Sequence, residues 1–322
     1  MPKGLVHALL LDGKGGAKHL DEAGFESWSP EAGILWAHFD ITEPDATGWI
    51  RERAGIHPYA AEALLAENTR PRLIETESGT VLFLRGVNLN PGADPEDMVS
   101  IRVLVSENRV LTLRLRRLLA VQDIEAALDA GTGPKTAAGV VVRLAERLTA
   151  RMEPVLAELE DRVGAFEDAV FAKDGENQKL DIGAARTEAI LLRRYLKPQR
   201  DAVTALHTGT RTGFAKHQRE QLTEAVDRLT RYVENLDALH ERLSVLHDEY
   251  RYLQNERMNR TMYLLTVVAA ILLPPSLIAG LLGANVGGMP GADKSWAFSA
   301  MVAGIAALGV LEFWLLKRLK WI

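Results

Sequence analysis

Two long apolar segments lie close together near the C-terminal end of the chain. Residues 261–292 contain no charged side chain, and their apolar part covers residues 262–282. As a helix, these roughly 21 residues would span about 30 Å, which is the thickness of a hydrocarbon core. A second apolar segment covers residues 296–316. The pattern predicts two transmembrane helices that form a hairpin, with nearly all of the polar sequence before it.

Basic residues predict how this hairpin is oriented, because short flanks rich in Lys and Arg stay on the cytoplasmic side. Such residues flank both spans on the sides away from their connecting loop: Arg251, Arg257, Arg260, Lys317, Arg318 and Lys320. The loop itself contains only Asp293 and Lys294 as charged residues. Both termini are therefore expected in the cytoplasm, and the loop is expected on the periplasmic side.

The first 115 residues alternate between short apolar runs and turns, which is typical of β-strands with intervening helices. Strands are predicted at residues 5–11, 34–41, 73–76, 81–89, 100–105 and 109–115, with a helix at residues 45–67. The glycine-rich residues 12–16 lack the spacing of a phosphate-binding loop and are expected to form a hairpin turn. This part of the chain therefore predicts one α/β domain.

From Leu118 onward, apolar residues recur every three or four positions, which indicates helices as far as the membrane. Two helices are predicted at residues 140–172 and 180–206, and a third begins near Lys216. Residues on one stripe of the third helix are spaced by alternating fours and threes: Leu222, Val226, Leu229, Val233, Leu236, His240, Leu243, His247 and Tyr250. This spacing is typical of a coiled coil.

The third helix is predicted to continue into the first span. No Gly or Pro interrupts residues 216–273, which as one helix of about 58 residues would be roughly 85 Å long. A helix of this length needs neighbours, and identical copies arranged in a ring are the simplest source.

These patterns predict an α+β cytoplasmic domain followed by a long stalk helix and two C-terminal transmembrane helices. The predicted divisions are a cytoplasmic α/β domain (1–135), a cytoplasmic helical region (136–215), a stalk helix continuous with the first span (216–260), the first transmembrane helix (261–284), a periplasmic loop (285–295), the second transmembrane helix (296–316) and a cytoplasmic tail (317–322).

Composition narrows the class of protein. The mean hydropathy of -0.04 and the 25% of charged residues average a soluble part and a membrane part. The chain has no cysteine, which excludes disulfides and thiolate metal sites. Its net charge of -5 does not indicate a nucleic-acid-binding protein. The N-terminus lacks the apolar run of a secretory signal. No nucleophile–base pair or phosphate loop suggests an enzyme, and no tightly bound cofactor is expected.

The end of the first span carries a family signature. Gly283-Ala284-Asn285 follows Leu273-Pro274-Pro275-Ser276 and precedes Val286-Gly287-Gly288-Met289-Pro290-Gly291. A long helix that enters a two-span hairpin closed by this motif resembles the CorA superfamily of divalent-cation transporters. Residues 67–72, 131–134, 193–195, 198–201 and 320–321 resemble its zinc-transporting ZntB branch. The chain departs from the pattern at Ala284, where magnesium-transporting relatives have Met and zinc relatives usually Val or Ile.

The resemblance implies a funnel-shaped homopentamer in the bacterial inner membrane, in which the first span of each subunit lines a central pore. On a helix of 3.6 residues per turn, one stripe fits that role: Met262, Leu265, Thr266, Ala269, Leu273, Ser276, Gly280 and Gly283. The alternative is that this stripe only packs against neighbouring helices.

Asn285 is the leading candidate for the ion entrance, together with Gly283 and Ala284. Copies of Asn285 around a pore mouth would present neutral carbonyl oxygens to a hydrated cation, and such weak binding permits release. The alternative role for Asn285 is to cap the helix.

Glu312 is the only charged residue inside either predicted span, and a carboxylate at that depth is a functional hypothesis by default. It lies within about one and a half turns of Lys317 and Arg318. Two roles stay open: an ion pair or a side chain that reaches the membrane surface, and a coupling role such as proton movement.

A cytoplasmic metal site is a further hypothesis. His240 and His247 are seven residues apart on the stalk helix, with Asp237 and Asp248 nearby, and histidine is a common zinc ligand. Hydrogen-bonded interface histidines would have the same spacing.

The sequence therefore predicts a transporter with Zn²⁺ as the transported ion, and with other copies of the chain, the lipid bilayer and divalent cations as partners. A magnesium or cobalt channel of the same fold is the first alternative. A membrane-anchored coiled-coil scaffold without transport activity is the second, and ion flux separates the two classes.

Overall fold

A computed structural model of the chain describes residues 2–67, 69–172, 181–209, 214–283, 291 and 294–319. The chain divides into two compact units, Met1–His247 and Asp248–Ile322. The first unit contains a mixed β-sheet with helices, and the second contains the apolar helices.

A seven-stranded sheet organises the first unit, in the order β2-β1-β3-β7-β6-β5-β4. The strands are β1 (Leu5–Leu11), β2 (Ala17–His19), β3 (Ile34–Asp40), β4 (Arg72–Thr76), β5 (Gly79–Gly86), β6 (Val99–Val105) and β7 (Arg109–Arg114). Strands β3 and β7 are parallel, and every other neighbouring pair is antiparallel. All six predicted strands are present, whereas the short edge strand β2 was not predicted.

The turn between β1 and β2 confirms the hairpin prediction. The Asp12 Oδ1 atom accepts hydrogen bonds from the backbone N–H groups of Lys14, Gly15 and Gly16, at 2.7, 3.0 and 2.9 Å. Gly15 has a φ of 121°, which side-chain-bearing residues rarely adopt. The glycines therefore serve the turn itself.

Helices in the first unit flank the sheet and extend beyond it. Those that end before the membrane are α1 (Glu22–Glu26), α2 (Pro44–Glu52), α3 (Pro58–Leu65), α4 (Leu119–Asp129), α5 (Ala137–Ala150), α6 (Glu153–Phe171) and α7 (Ile182–Thr208). One face of the sheet buries Phe39 and Leu104 against α1, α2 and α3. Because side chains alternate along a strand, Trp36 and Val103 lie on the other face, which α4 and α5 cover.

Two predicted helices are each divided in two. The helix predicted at residues 45–67 is α2 and α3, because Gly55 takes a φ of 60° and Pro58 starts a new helix. The helix predicted at residues 140–172 is α5 and α6, which restarts with Pro154 in its first turn. Proline lacks an N–H donor and fixes φ, so both restarts follow from local chemistry that the continuing apolar periodicity concealed.

The eighth helix, α8, covers Lys216–Gly283 and is 68 residues long, and α9 covers Ala297–Arg318. The prediction of one uninterrupted helix from Lys216 is confirmed. The helix continues through Pro274 and Pro275, ten residues beyond the stretch that is free of Gly and Pro. Prolines are tolerated in membrane helices, where neighbouring groups satisfy the freed carbonyls.

One face of the stalk helix is covered within the same chain. Between Lys216 and His247, its buried residues are Gln218, Leu222, Ala225, Leu229, Val233, Leu236, Leu239, Leu243 and Leu246. Arg242 forms an ion pair of 2.6 Å with Glu167 on α6, and Arg193 on α7 pairs with Asp237. Val226, His240 and His247 therefore lie beside the buried line and not on it, which corrects the predicted register.

A buried histidine pair bridges β1 and β3. His7 is 7% exposed and His38 is 1% exposed, and their ring centroids are 5.3 Å apart. The His38 Nδ1 atom is 2.8 Å from the Thr112 hydroxyl oxygen. Burial lowers the pKa of both side chains, that of His7 to about 4, so both rings are neutral at pH 7.

This burial predicts loss of stability in acid. Because the pKa of His7 is lower in the folded chain than its unfolded value of 6.5, protons favour the unfolded chain. Above pH 6.5 His7 is neutral in both states and its protonation takes nothing from the free energy of unfolding. By pH 4, protonation of His7 in the unfolded chain lowers the free energy of unfolding by about 3 kcal/mol. Denaturant titrations should show that the free energy of unfolding decreases less between pH 7 and pH 4 in His7→Gln than in the wild type. The exposed control His217→Gln should show the same decrease as the wild type. Equal losses in all three would contradict this assignment.

Candidate cation pathway

Helices α8 and α9 are, within the part of the chain that the structure describes, the two helices long and apolar enough to cross a membrane. Their large apolar side chains are exposed in the single chain, including Leu273 at 67% and Phe298 at 71%. Such extended apolar surface requires either lipid or other protein around it. Length and exposure together agree with the two predicted spans.

One face of each span is partly covered inside the second unit. On α8 the partly covered residues are Val267, Ala270, Ile271, Pro274 and Pro275. On α9 they include Met301, Ile305, Leu308 and Glu312, which recur every three or four residues. Matching lines of this kind are what two antiparallel helices that cover each other would produce.

The predicted pore-lining residues occupy a different face of α8. Met262, Leu265, Thr266, Ala269, Leu273, Ser276 and Gly280 are all exposed. At 3.6 residues per turn, the centre of this stripe lies about 150° around the helix from the covered face. A Cβ atom built on Gly280 or Gly283 meets no atom within 4 Å. The stripe is therefore free to face an ion pathway or another copy of the chain.

The predicted ion entrance is only partly within the described residues. Gly283 is the last residue of α8, whereas Ala284 and Asn285 lie outside the described part. Their role at the entrance remains a prediction from the sequence.

Glu312 lies on the partly covered face of α9, and its Oε2 atom is buried without a hydrogen-bond partner. Among the residues described, it forms no ion pair. The Arg318 guanidinium lies instead over the Trp314 ring, 5.2 Å from its centroid. The single chain thus lacks the predicted pairing with Lys317 or Arg318, and both open roles of Glu312 remain predictions.

The proposed cytoplasmic metal ligands do not converge within one chain. Asp237 is paired with Arg193, and both His240 and His247 are half-buried. Seven residues of helix separate the two histidines by about 10 Å along the axis, too far for one ion. Across the described ranges, no group of three or more His, Asp or Glu side chains is placed to hold a metal. A site that includes Asp248 would need a second subunit and remains a prediction.

Three residues in the segments that resemble the ZntB branch, Thr69, Tyr195 and Gln199, have structural contacts that the sequence did not suggest. The Arg85 guanidinium donates to the carbonyl oxygens of Thr69 and Met98, at 2.9 and 2.7 Å. It also lies 4.0 Å from the centroid of the Tyr195 ring, and the Arg85 N–H donates to Gln199 Oε1 at 2.6 Å. We call these five residues the Arg85 junction. It fastens α7 to the sheet, and no local signal in β5 distinguishes Arg85 as its centre.

Comparison with known proteins gives the family. Residues 31–318 match the family model described as CorA-like Mg2+ transporter protein, and the chain belongs to this family. It is a divalent-cation transporter of the CorA family, as the resemblance in the sequence indicated.

Individual relatives cover nearly the whole chain. Divalent cation transporter CmaX of Pseudomonas aeruginosa is 41% identical over 99% of this chain and 97% of its own length. The structure of full-length CmaX matches with a TM-score of 0.83 at 40% identity, over 100% of this chain and 99% of that one. Zinc transport protein ZntB of Pectobacterium atrosepticum is 32% identical over 99% of this chain and 96% of its own length.

A more distant structure shows the fold alone. The CorA magnesium transporter from Methanocaldococcus jannaschii matches with a TM-score of 0.76 at 19% identity, over 98% of this chain and 99% of that one. The fold is thus an N-terminal α/β domain, a long helix and a C-terminal helix, as predicted. The relatives are named as transporters, which agrees with the prediction that the chain is not an enzyme.

Proposed function

We propose that this divalent-cation transporter moves Zn²⁺ across the bacterial cytoplasmic membrane, along a central path lined by α8 from identical subunits. The observation that carries the proposal is the uncovered stripe of α8, which lies about 150° around the helix from its partly covered face. A helix that turns small and apolar residues away from its own hairpin is suited to line a shared pathway.

Five copies of the chain around this path form the proposed assembly, with both termini in the cytoplasm. Small residues on the stripe support it, because Ala269, Gly280 and Gly283 permit close approach of neighbouring α8 helices. The pentameric number itself rests on the sequence resemblance.

Zinc is favoured as the transported ion for two reasons. A relative 32% identical to this chain is named as a zinc transport protein, and the loop between the spans holds Asp293 as its only acidic residue. A magnesium or cobalt channel remains the second candidate, because the relative at 41% identity is named only for divalent cations.

The proposed mechanism is passage of a cation that keeps most of its water. Neutral amide oxygens of Asn285 would attract the ion weakly at the entrance, and the Ser276 hydroxyl offers a polar position within an otherwise apolar stripe. Because imidazole or carboxylate ligands would hold Zn²⁺ tightly, their absence from the proposed stripe favours release. No resident cofactor takes part.

Asn285→Ala tests the proposed entrance. We expect about a tenfold lower rate of zinc uptake into vesicles, because removal of one amide per subunit weakens ion capture by about 1.4 kcal/mol. Folding and subunit mass should stay unchanged, since the side chain is proposed to contact the ion and not the core. Asn255→Ala, on the same helix before the span, is the matched control. Wild-type flux in Asn285→Ala would assign the side chain to helix capping.

Glu312→Gln tests whether the carboxylate couples transport to protons. Glu312 lies on the partly covered face of α9 and not on the α8 stripe proposed as the ion path, so we expect zinc flux to keep its dependence on a pH gradient. Stability should change only modestly, because Gln preserves the shape of the side chain. Flux measured with and without an imposed gradient decides the point. A variant that still transports zinc but no longer responds to the gradient would assign proton movement to Glu312.

A further inference from the structure

Three cations lie at the ends of the two spans that are away from the connecting loop: Arg260, Lys317 and Arg318. We call them the basic collar. All three are exposed, and none forms an ion pair with any residue that the structure describes. Glu256 lies one helical turn before Arg260 without pairing with it, and Glu312 lies on the covered face of α9. Within the described ranges, the collar therefore has positive charge that no carboxylate pairs with.

The depth of the collar follows from helix length. Arg260 precedes Gly283 by about 35 Å of helix, and Arg318 follows Ala297 by about 32 Å. Both distances match the hydrocarbon thickness plus a few ångströms. Since the chain enters along α8 and returns along α9, all three cations lie near the same membrane surface.

Aromatic side chains mark the same level. Trp314 is 51% exposed and Tyr263 is 48% exposed, and these residue types favour the headgroup region. The Arg318 guanidinium lies over the Trp314 ring, so its direction is fixed by a cation–π contact. At the other end of α9, Lys294 lies 5.9 Å from the centroid of the Trp296 ring, but Asp293 precedes it in the sequence. The two ends therefore have similar geometry and different net charge.

We propose that the basic collar binds anionic glycerophospholipids of the cytoplasmic leaflet through their phosphate groups. Unpaired cations at a membrane surface require counter-ions, and lipid phosphates are present there at high density. Arginine offers the paired donors that suit phosphate, and lysine offers a point charge. A net negative lipid is favoured over a zwitterionic one because no described carboxylate forms an ion pair with the three cations of the collar. This inference rests on the membrane insertion included in the proposed function, and not on the identity of the transported ion.

The expected effect of the collar is large enough to measure. Each basic residue near an anionic surface contributes about 1 kcal/mol, which is about a fivefold change in affinity. Lys317→Gln combined with Arg318→Gln is therefore expected to weaken binding of phosphatidylglycerol about 25-fold. Lys294→Gln removes a charge that also lies near a tryptophan ring, that of Trp296, but at the other end of α9. This variant is expected to have no such effect on lipid binding.

The experiment counts lipids bound to the full-length chain in detergent by native mass spectrometry, with phosphatidylglycerol and phosphatidylcholine titrated separately. We expect the wild type and Lys294→Gln to bind phosphatidylglycerol at least tenfold more tightly than phosphatidylcholine, and the double variant to lose this preference. Equal binding of the two lipids by the wild type would overturn the proposal. An undiminished preference in the double variant, or an equal loss in Lys294→Gln, would overturn it as well.

A separate measurement distinguishes this failure from failure of the proposed function. Vesicles of pure phosphatidylcholine that contain the protein are floated on a density gradient and assayed for zinc uptake. Flotation and uptake together with no lipid preference would overturn the collar alone. A protein that does not float with vesicles would overturn both.

Discussion

Gly280→Leu is expected to lower zinc flux by at least about 50-fold while the chain stays folded and inserted in the membrane. Gly280 lies on the uncovered stripe of α8, where a Cβ atom meets nothing within 4 Å in its own chain. The new side chain therefore causes no clash inside the subunit. In an assembly with α8 at the centre, however, each copy would add a leucine to the path. An added barrier of about 2 kcal/mol is enough for this decrease, and narrowing of an apolar constriction also favours its dewetting.

Gly304→Leu is the matched control for this prediction. Gly304 lies on α9, is exposed, and likewise has no atom within 4 Å of an added Cβ. The two variants therefore make the same chemical change in open space on different spans. Flux through Gly304→Leu should stay within about twofold of the wild type, and both variants should keep the subunit mass and circular dichroism of the wild type. Equal flux in both variants would place the ion path away from the α8 stripe.

Arg85→Ala is expected to lower the free energy of unfolding of the full chain by about 3 kcal/mol. The change removes donors to two carbonyl oxygens and the contact with Tyr195. Hydrogen bonds from a charged donor contribute about 1.5 to 3 kcal/mol each, and the carbonyls of Thr69 and Met98 would be left without this partner. Since α7 loses the contact of Tyr195 with Arg85 and, within the Arg85 junction, keeps only the hydrogen bond from the Arg85 backbone N–H to Gln199, the loss should appear in the first unit.

The control for Arg85→Ala is Arg53→Ala, whose ion pair with Glu26 is exposed on both sides. Exposed pairs contribute about 0 to 1 kcal/mol, so this variant should be nearly neutral. Urea titration of the detergent-solubilised chain, followed by circular dichroism, measures both. A loss below about 1 kcal/mol for Arg85→Ala would mean that the Arg85 junction does not fasten α7.

The sequence predicted the two long apolar helices and the strands well, because both depend on simple sequence patterns. Long uncharged segments indicate spans, and alternation of apolar residues indicates strands whatever they pair with. The parallel pairing of β3 with β7 was not predictable in the same way, since it joins residues more than seventy positions apart. The breaks at Gly55 and Pro154 were missed because apolar periodicity continued on both sides of them.

The stalk shows why a face is harder to predict than a helix. Leu239 and His240 are adjacent, as are Leu246 and His247, so two neighbouring lines fit spacings of three and four almost equally well. The leucines are the buried residues, and ion pairs hold α6 and α7 beside this part of α8. These long-range contacts are not visible in local sequence. The same reasoning limits the metal hypothesis for His240 and His247, because neighbours decide where those rings point.

The sequence placed the candidate pathway residues on one stripe, but it did not predict the contacts of Glu312 or of the Arg85 junction. Spacing alone placed Met262, Leu273 and Gly280 on one stripe of α8, and the structure leaves that stripe uncovered. That Glu312 forms no ion pair with a described residue was not predictable, since Lys317 lies at a favourable helical distance. The Arg85 junction depends on four separate segments of the chain, and no window of sequence contains it.

Ion flux into vesicles that contain only this protein tests the central claim most directly. The purified chain is reconstituted, a zinc-sensitive dye is enclosed, and Zn²⁺, Mg²⁺ and Co²⁺ are added outside in turn. We expect zinc entry far above that of protein-free vesicles and faster than magnesium entry. Faster magnesium or cobalt entry would contradict the choice of zinc. Vesicles that contain folded, inserted protein and yet admit none of the three ions would contradict the transport pathway itself.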